Sequence, residues 1–544
     1  MRNLIRRRNL LPWSQKRNWK SQAWSAALVV LVAFVVWTGF YLRRWTWNET
    51  APIHFTGDII NGYYWGSEVL KHGEAVQNRE PRHAADSGGW HKLLKGYWSF
   101  YDEVESGYPD GNYQLDYPPL RLLVMSMWVR SVRERRPNVE VGNARYVQPL
   151  RNFNAACELV SSILMFFLVR HWVRRDKKHR KIVTTEAGDS GPDRATLRGL
   201  FAASLFWLNP AILLNSHGWP QWDVWLIPFY LGAAVAGSKG RWSFCGALAL
   251  LGGTFKGQML FVAPIFLLWP LLRRGWADAL CVAAGMVCTA AIVTAPFLLQ
   301  TPAAVLAVTA TGILLAGVEV SAAKGRLFAG SEKRVRFAVY GIVLALAAFL
   351  AGSWLGGSYA WLRIGFLYGM RHYPYMVMGE ANNLPSILAD QGWTLESVIF
   401  GLSLQRLLRL FYLAALILCA WKLARYERDN SARTLLALFA PWVFMFTLLP
   451  QMHERYLLWG AALGAAAVGV SVSLTLLHLV LSLLSTSMIG YVMLRQNPNF
   501  APALFQWQRQ HQALFDWLVV GSTVFLLWAL IRKSRNFDKI SDPD

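Results

Sequence analysis

"LRLLVMSMWVRSVRERR", Leu120 to Arg136, decides how the chain is threaded. If this run crosses a bilayer, the next apolar run, 149–172, must exit outward. It would then carry "RRDKKHRK" (174–181) to the external face, against the tendency of short basic loops to stay cytoplasmic. Between Pro119 and Arg130 the run offers only about ten apolar-dominated residues, too few to span and enough for an interfacial or re-entrant helix. On that reading 43–148 is one large external segment carrying interfacial helices, and 149–172 is the second span.

The remaining runs then alternate consistently. The expected spans are 24–42, 149–172, 197–215, 222–237, 242–255, 258–272, 277–299, 303–320, 337–354, 400–421, 434–449, 456–474, 475–494 and 513–531. The basic loops 173–196, 238–241, 273–275, 322–336, 422–433 and the C-terminal "RKSRN" all fall inside. The expectation is an all-α polytopic transmembrane helical bundle of about 14 spans. Its parts are a basic cytoplasmic N-terminus (1–23), the first span (24–42), the external loop (43–148), a helical bundle (149–531) and a cytoplasmic tail (532–544).

Composition agrees. Of 544 residues 54% are hydrophobic and 27 are Trp, which places the chain among membrane proteins. The net charge of +23 is clumped in short loops, so topology accounts for it better than nucleic-acid binding. Arg2, Arg6, Arg7, Arg8, Lys16, Arg17 and Lys20 precede the first run, as before a signal peptide. That run is long and lacks a small-residue cleavage site, so it reads as an uncleaved span with its N-terminus inside. Cys157, Cys245, Cys281, Cys288 and Cys419 lie in apolar stretches without a CxxC pair and read as packing residues.

The unusual polar segments all fall on the external side: "TGDIING" (56–62), "LDYPPL" (115–120), "SHGWPQWD" (216–223), "TFKGQ" (254–258), "RHYPYMVMGEANNLP" (371–385) and "QMHER" (451–455). Each has a bland reading. Asp58 can be a solvated loop acid, and Asp116 before two prolines a helix-start signal. His217, Trp219, Trp222 and Asp223 can belong to an aromatic belt, Lys256 can snorkel, and Glu454 can cap a helix. Ionisable residues near a bilayer are costly and most often functional, and six segments sharing one face favour a single assembled site.

The chemistry that fits is removal of a proton from a hydroxyl while a phosphate departs. A carboxylate base activates the acceptor oxygen, cations balance charge on the leaving phosphate, and Trp and Tyr present faces to sugars. No Walker loop or dinucleotide fingerprint is present, so the phosphate belongs to a lipid rather than a soluble nucleotide. No His/Asp/Glu cluster stands at metal-ligand spacing, and neither metal nor cofactor is expected.

An external Gly-Asp after the first span, then "LDYPPL", "HG" with an aromatic cluster, "FKGQM" and "HER" together resemble the GT-C membrane glycosyltransferases. The resemblance is to the dolichyl-phosphate-glucose-dependent glucosyltransferases that extend lipid-linked oligosaccharides, over about residues 24–470. It implies an inverting transfer of a hexose from a polyprenyl-phosphate sugar to a lipid-linked glycan or other external-face acceptor. It implies Asp58 as general base and Asp116 as a positioning residue, with His217, Trp219 and Asp223 also on the substrate. For the donor phosphate it implies Lys256, Arg371, His372, His453, Glu454 and Arg455. The chain departs from the family at Gln451, where a second His is usual, at Arg455 for Lys, and at Ile59, Ile60 and Asn61 after the loop acid.

Two rivals share these features: a flippase or transporter for lipid-linked sugars, and a ligase moving a whole glycan. Transporters place charges at mid-membrane and often show two related halves, and no such halves are visible here. A bacterial inner membrane and the endoplasmic reticulum both suit the loops.

Overall fold

The computed structural model describes residues 19–54, 57–79, 89–106, 115–136, 144–176, 193–324, 331–368 and 375–532. The main helices are α1 (Trp19–Glu49), α2 (Gly57–Arg79), α3 (Gly89–Ser106), α4 (Pro119–Arg135), α5 (Ala144–Arg175), α6 (Arg194–Trp207), α7 (Ile227–Ser238) and α8 (Trp242–Phe255). They continue as α9 (Pro264–Leu272), α10 (Trp276–Leu298), α11 (Pro302–Lys324), α12 (Ser331–Trp354), α13 (Leu404–Arg428), α14 (Thr434–Leu448), α15 (Val472–Leu494) and α16 (Gln512–Ile531). The strands among the described residues form one hairpin, β1 (Val398–Ile399) against β2 (Leu402–Ser403).

Among the described residues nine helical segments are long and apolar enough to cross a membrane, so the chain is an integral membrane protein. Several expected spans are shorter: 222–237, 242–255, 258–272 and 434–449 correspond to apolar helices of 10–17 residues. The stretch 456–474 is no continuous helix. Leu457–Leu463 passes into a 3₁₀ segment, Gly464–Gly469, and Ser471 caps α15 through Leu474 N. The expected 400–421 span begins later, at Leu404, because Phe400 and Gly401 both take positive φ and close the β1–β2 hairpin. Every residue of α14 from Thr434 to Thr447 is buried, so this helix is the central pillar and touches protein on all sides.

The stretch that decides the threading is α4, with 17 residues, and it is not one of the nine. Pro118 and Pro119 start it without forfeiting any intrahelical bond. Leu122, Met125, Val129 and Val132, at helical spacing, form its buried face. It packs against α2, where Gly66 lets the backbones meet: a Cβ there would stand 2.9 Å from the Met125 carbonyl. The amphipathic α3 buries Leu93, Tyr97, Phe100, Tyr101 and Val104 against the same group.

Described parts of four basic loops meet at one end of the bundle. Arg175 Nε donates to Asn430 Oδ1 at 3.0 Å, and Asp176 Oδ2 accepts from Ala432 N at 2.9 Å. Arg273 reaches Glu427 at 2.8 Å and Arg433 the Arg532 carbonyl at 2.7 Å. Helices α7 and α8 connect Asp223 and Lys256 to Ser238 and Arg241, so the α8 length of 14 residues, about 21 Å, separates the two ends. All five cysteines are free, and Cys245, Cys281 and Cys419 are buried.

Candidate active site

Helix α6 stops at Asn209-Pro210, where the Asn209 side chain caps a short turn through Ala211 N. A π-turn, Leu214–Gly218, follows, a local widening frequent at functional sites. Asn154 of α5 clamps the irregular chain beyond it. Its Nδ2 donates to the Ser216 and Gln221 carbonyls at 2.9 and 2.8 Å, and its Oδ1 accepts from Trp225 Nε1 at 2.6 Å. Every member of that clamp is buried and bonded, which fixes the direction of Gln221. Gln221 Nε2 donates to Asp58 Oδ2 at 2.5 Å.

Asp58 lies in the first turn of α2, where the helix dipole favours a carboxylate. One turn on, Gly62 leaves room for Trp222, whose ring would stand 3.3 Å from a Cβ there. The extended Asp116-Tyr117-Pro118 segment borders the same place. Tyr101 hydroxyl donates to the Tyr117 carbonyl, and the Arg121 guanidinium lies 3.3 Å from the Tyr117 ring centre and 4.5 Å from that of Trp222. Burial pushes the Asp116 carboxyl up; Arg121 opposes the shift and Asp58 adds to it, so the two acids sense each other.

Asp223 is fully buried between two cations. Its Oδ1 accepts from Lys256 Nζ, and its Oδ2 lies 3.5 Å from Arg455 Nε and accepts from Asn215 at 3.2 Å. Lys256 ends α8 in an extended conformation and places its ammonium 4.8 Å from the Tyr456 ring centre and 5.2 Å from that of Trp459. Burial, then the Arg455 and Arg121 guanidiniums, work against that ammonium's charge, while Asp58 and Asp116 favour it. The balance holds the Lys256 amine below its ordinary value, while its Nζ stays in direct contact with Asp223. Arg455 stands over the Trp219 ring at 5.3 Å. Burial opposes its charge too, yet Asp58, then Tyr456 and Glu454, hold the guanidinium above its ordinary value.

The "HER" turn is a 3₁₀ segment, Glu454–Tyr456, entered through Gln451 at φ 64°. Gln451 N donates to the Met376 carbonyl at 3.3 Å, so the 375–381 segment lies over the turn. Gly379, at φ 61°, sits against the Glu454 carboxylate where a side chain would collide with it. Glu454 accepts from Arg455 Nη1 at 3.3 Å and from Glu380 N at 3.4 Å, and His453 Nδ1 is 3.7 Å away. Burial works against its charge, but His453 and Arg455 hold the carboxyl down at about 2. Burial, then Arg455, push the His453 ring below its ordinary value, with Glu454 opposing.

Asp58, Asp116, Trp219, Asp223, Lys256, His453, Glu454 and Arg455 are therefore brought into one cluster. His217 is turned elsewhere. Its Nε2 is 3.2 Å from Glu158 Oε2, which also receives Arg43 Nε at 2.6 Å, in a buried network joining α1, α5 and the π-turn. Asp223 has both oxygens occupied by protein groups. Arg371 and His372 lie outside the described residues. No group of three or more His, Cys, Asp or Glu able to hold a metal ion occurs among the described residues.

No protein-family model matches the chain. It is similar to the dolichyl pyrophosphate Glc1Man9GlcNAc2 alpha-1,3-glucosyltransferase of Eremothecium gossypii, 27% identical over 200 residues. That stretch is 33% of this chain and about a third, 32%, of the relative's own length. The relative falls in the family that the motifs resemble.

Gln221, Arg121 and Tyr456 belong to the cluster and escape sequence reasoning. Arg121 had a legible signal: a cation in the first turn of α4 opposes the helix dipole and wants an anion. Gln221 and Tyr456 carry no such mark.

Proposed function

We propose that the chain is an integral-membrane inverting glycosyltransferase. It moves a hexose from a polyprenyl-phosphate sugar to a hydroxyl of a lipid-linked glycan. The acceptor oxygen attacks the anomeric carbon, the bond from that carbon to the phosphate oxygen breaks, and the electron pair leaves with polyprenyl phosphate. The hydroxyl proton passes to Asp58, a step typically worth 10²–10⁴ in rate. Arg455 and His453 take up the phosphate charge; Asp223, between Lys256 and Arg455, holds the two cations apart. The family resemblance supports a hexose donor of this class, and the glucosyltransferase relative supports a lipid-linked acceptor.

One observation carries this reading. A partly exposed carboxylate, Asp58, held by Gln221 at 2.5 Å, stands in the same cluster as Arg455, which supports a base and a phosphate cation acting together. The ligand-facing charges also gather at one end of the bundle, unlike the mid-membrane charges usual in transporters. The test is transfer of labelled hexose from polyprenyl-phosphate sugars to lipid-linked glycans by purified protein in detergent. Turnover without a bilayer is the expected result. Translocation in vesicles with no transfer from any such donor contradicts it and favours the transporter.

A further inference from the structure

Two apolar cavities of about 540 Å³ and 690 Å³ flank α8, and both reach Arg241 at the end remote from this cluster. Both fall in the size range of ordinary ligand pockets. Phe153, Val160, Leu164 and Leu248 wall the first, and Cys281, Cys288, Phe337 and Ala338 the second. Arg241 and Phe244 line both. Val160, Phe244 and Phe337 are exposed, so the cavities open outward where a bilayer would lie.

The mouths are cationic. Lys239 and Arg241 border the first cavity, and Arg241 and Arg334 the second; all three are exposed. None of the three makes an ion pair among the described residues. Nearby Arg273, by contrast, is neutralised by Glu427 at 2.8 Å and Asp278 at 2.7 Å. Arg241 is also the N-cap of α8 with no side-chain cap bond, so the positive end of the helix adds to the field. Uncompensated cations between two apolar grooves are complementary to an anionic head carrying two chains.

We propose that Lys239, Arg241 and Arg334 bind the phosphate of a two-chain anionic phospholipid whose acyl chains lie in the grooves on either side of α8. The shared Arg241 sets the headgroup astride the helix, and the grooves take one chain each. The site is about 21 Å from Lys256 along α8 and does not depend on the transferase reading. Bound there, the lipid would brace α8 against α5 and α10.

The test is thermal unfolding and native mass spectrometry of the purified full chain in neutral detergent. The probes are phosphatidylglycerol, phosphatidylcholine, single-chain lysophosphatidylglycerol and inorganic phosphate. We expect phosphatidylglycerol to bind about tenfold more tightly than phosphatidylcholine and to raise Tm, with inorganic phosphate giving no shift. The double variant Arg241→Gln/Arg334→Gln should keep its Tm in detergent and lose the preference. Equal binding of the two diacyl lipids, or a preference retained by the variant, overturns the proposal. Equal stabilisation by the lysolipid overturns the two-groove arrangement. Should the double variant not fold, Lys239→Gln/Arg334→Gln carries the same test.

Discussion

Gln221 holds Asp58. Its Nε2 donates to the carboxylate at 2.5 Å, while Asn154 grips its backbone carbonyl at 2.8 Å. A buried amide facing a carboxylate must present its NH₂ side, so the orientation follows from the chemistry. Gln221→Ala should therefore lower kcat by about 10- to 100-fold through misplacement of the base, with little change in KM. Gln221→Glu puts a second carboxylate beside the first and should move the acid limb of the kcat profile to higher pH. An unchanged profile in Gln221→Glu would show that Asp58 is not the titrating base.

Asp223 separates Lys256 from Arg455, with its carboxylate in contact with one cation and 3.5 Å from the other. Asp223→Asn keeps the shape and removes the charge, leaving a buried ammonium unpaired. The expected loss is about 3–5 kcal/mol of stability, read as a lower Tm in detergent. A variant as stable as the parent would mean that the two cations are not held apart by this carboxylate.

The fold was largely legible because its long helices are uninterrupted apolar runs: α1, α5, α10 and α12 announce themselves by length. The segments 222–272 and 434–474 were harder. Thr434–Thr447 is apolar on every face because protein surrounds it, so no periodicity marks which side is which. The break at Gly464–Gly469 is set by packing, where a Cβ on Gly469 would stand 2.5 Å from Leu435 and 3.2 Å from Val169 of α5, a relation no local pattern records. Within the site, most charges revealed themselves, Arg121 excepted, whereas Gln221 and Tyr456 did not. The placement of His217 was not legible: a His beside aromatic residues suits a sugar site, whereas its partner, Glu158, is 59 residues away in sequence.

Arg455 offers a planar fork above Trp219, which a lysine cannot reproduce. Arg455→Lys, although it restores the usual family residue, should weaken recognition of the phosphate in this setting. We expect kcat/KM for the polyprenyl-phosphate sugar to fall about 10- to 100-fold, and inhibition by polyprenyl phosphate to weaken in parallel. Equal inhibition constants would remove Arg455 from the phosphate.

Glu454 ties the "HER" turn to pH. Its carboxyl is held at about 2 in the folded protein against 4.5 for a free side chain, so the unfolded chain takes up the proton first. The stability it contributes is complete above pH 4.5 and is lost as pH falls toward 2, a contribution on the order of 3 kcal/mol. Glu454→Gln should flatten the fall of Tm across that window. A parallel fall in both proteins would assign the acid sensitivity to other groups.

The most direct test of the whole account is the single-turnover rate of hexose transfer by Asp58→Asn, with its fold verified by an unchanged Tm. The isosteric amide keeps the site intact and cannot accept the hydroxyl proton. The account predicts a rate about 10²–10⁴ lower than that of the parent, with donor binding retained. An Asp58→Asn variant that transfers the sugar at the parental rate would contradict it.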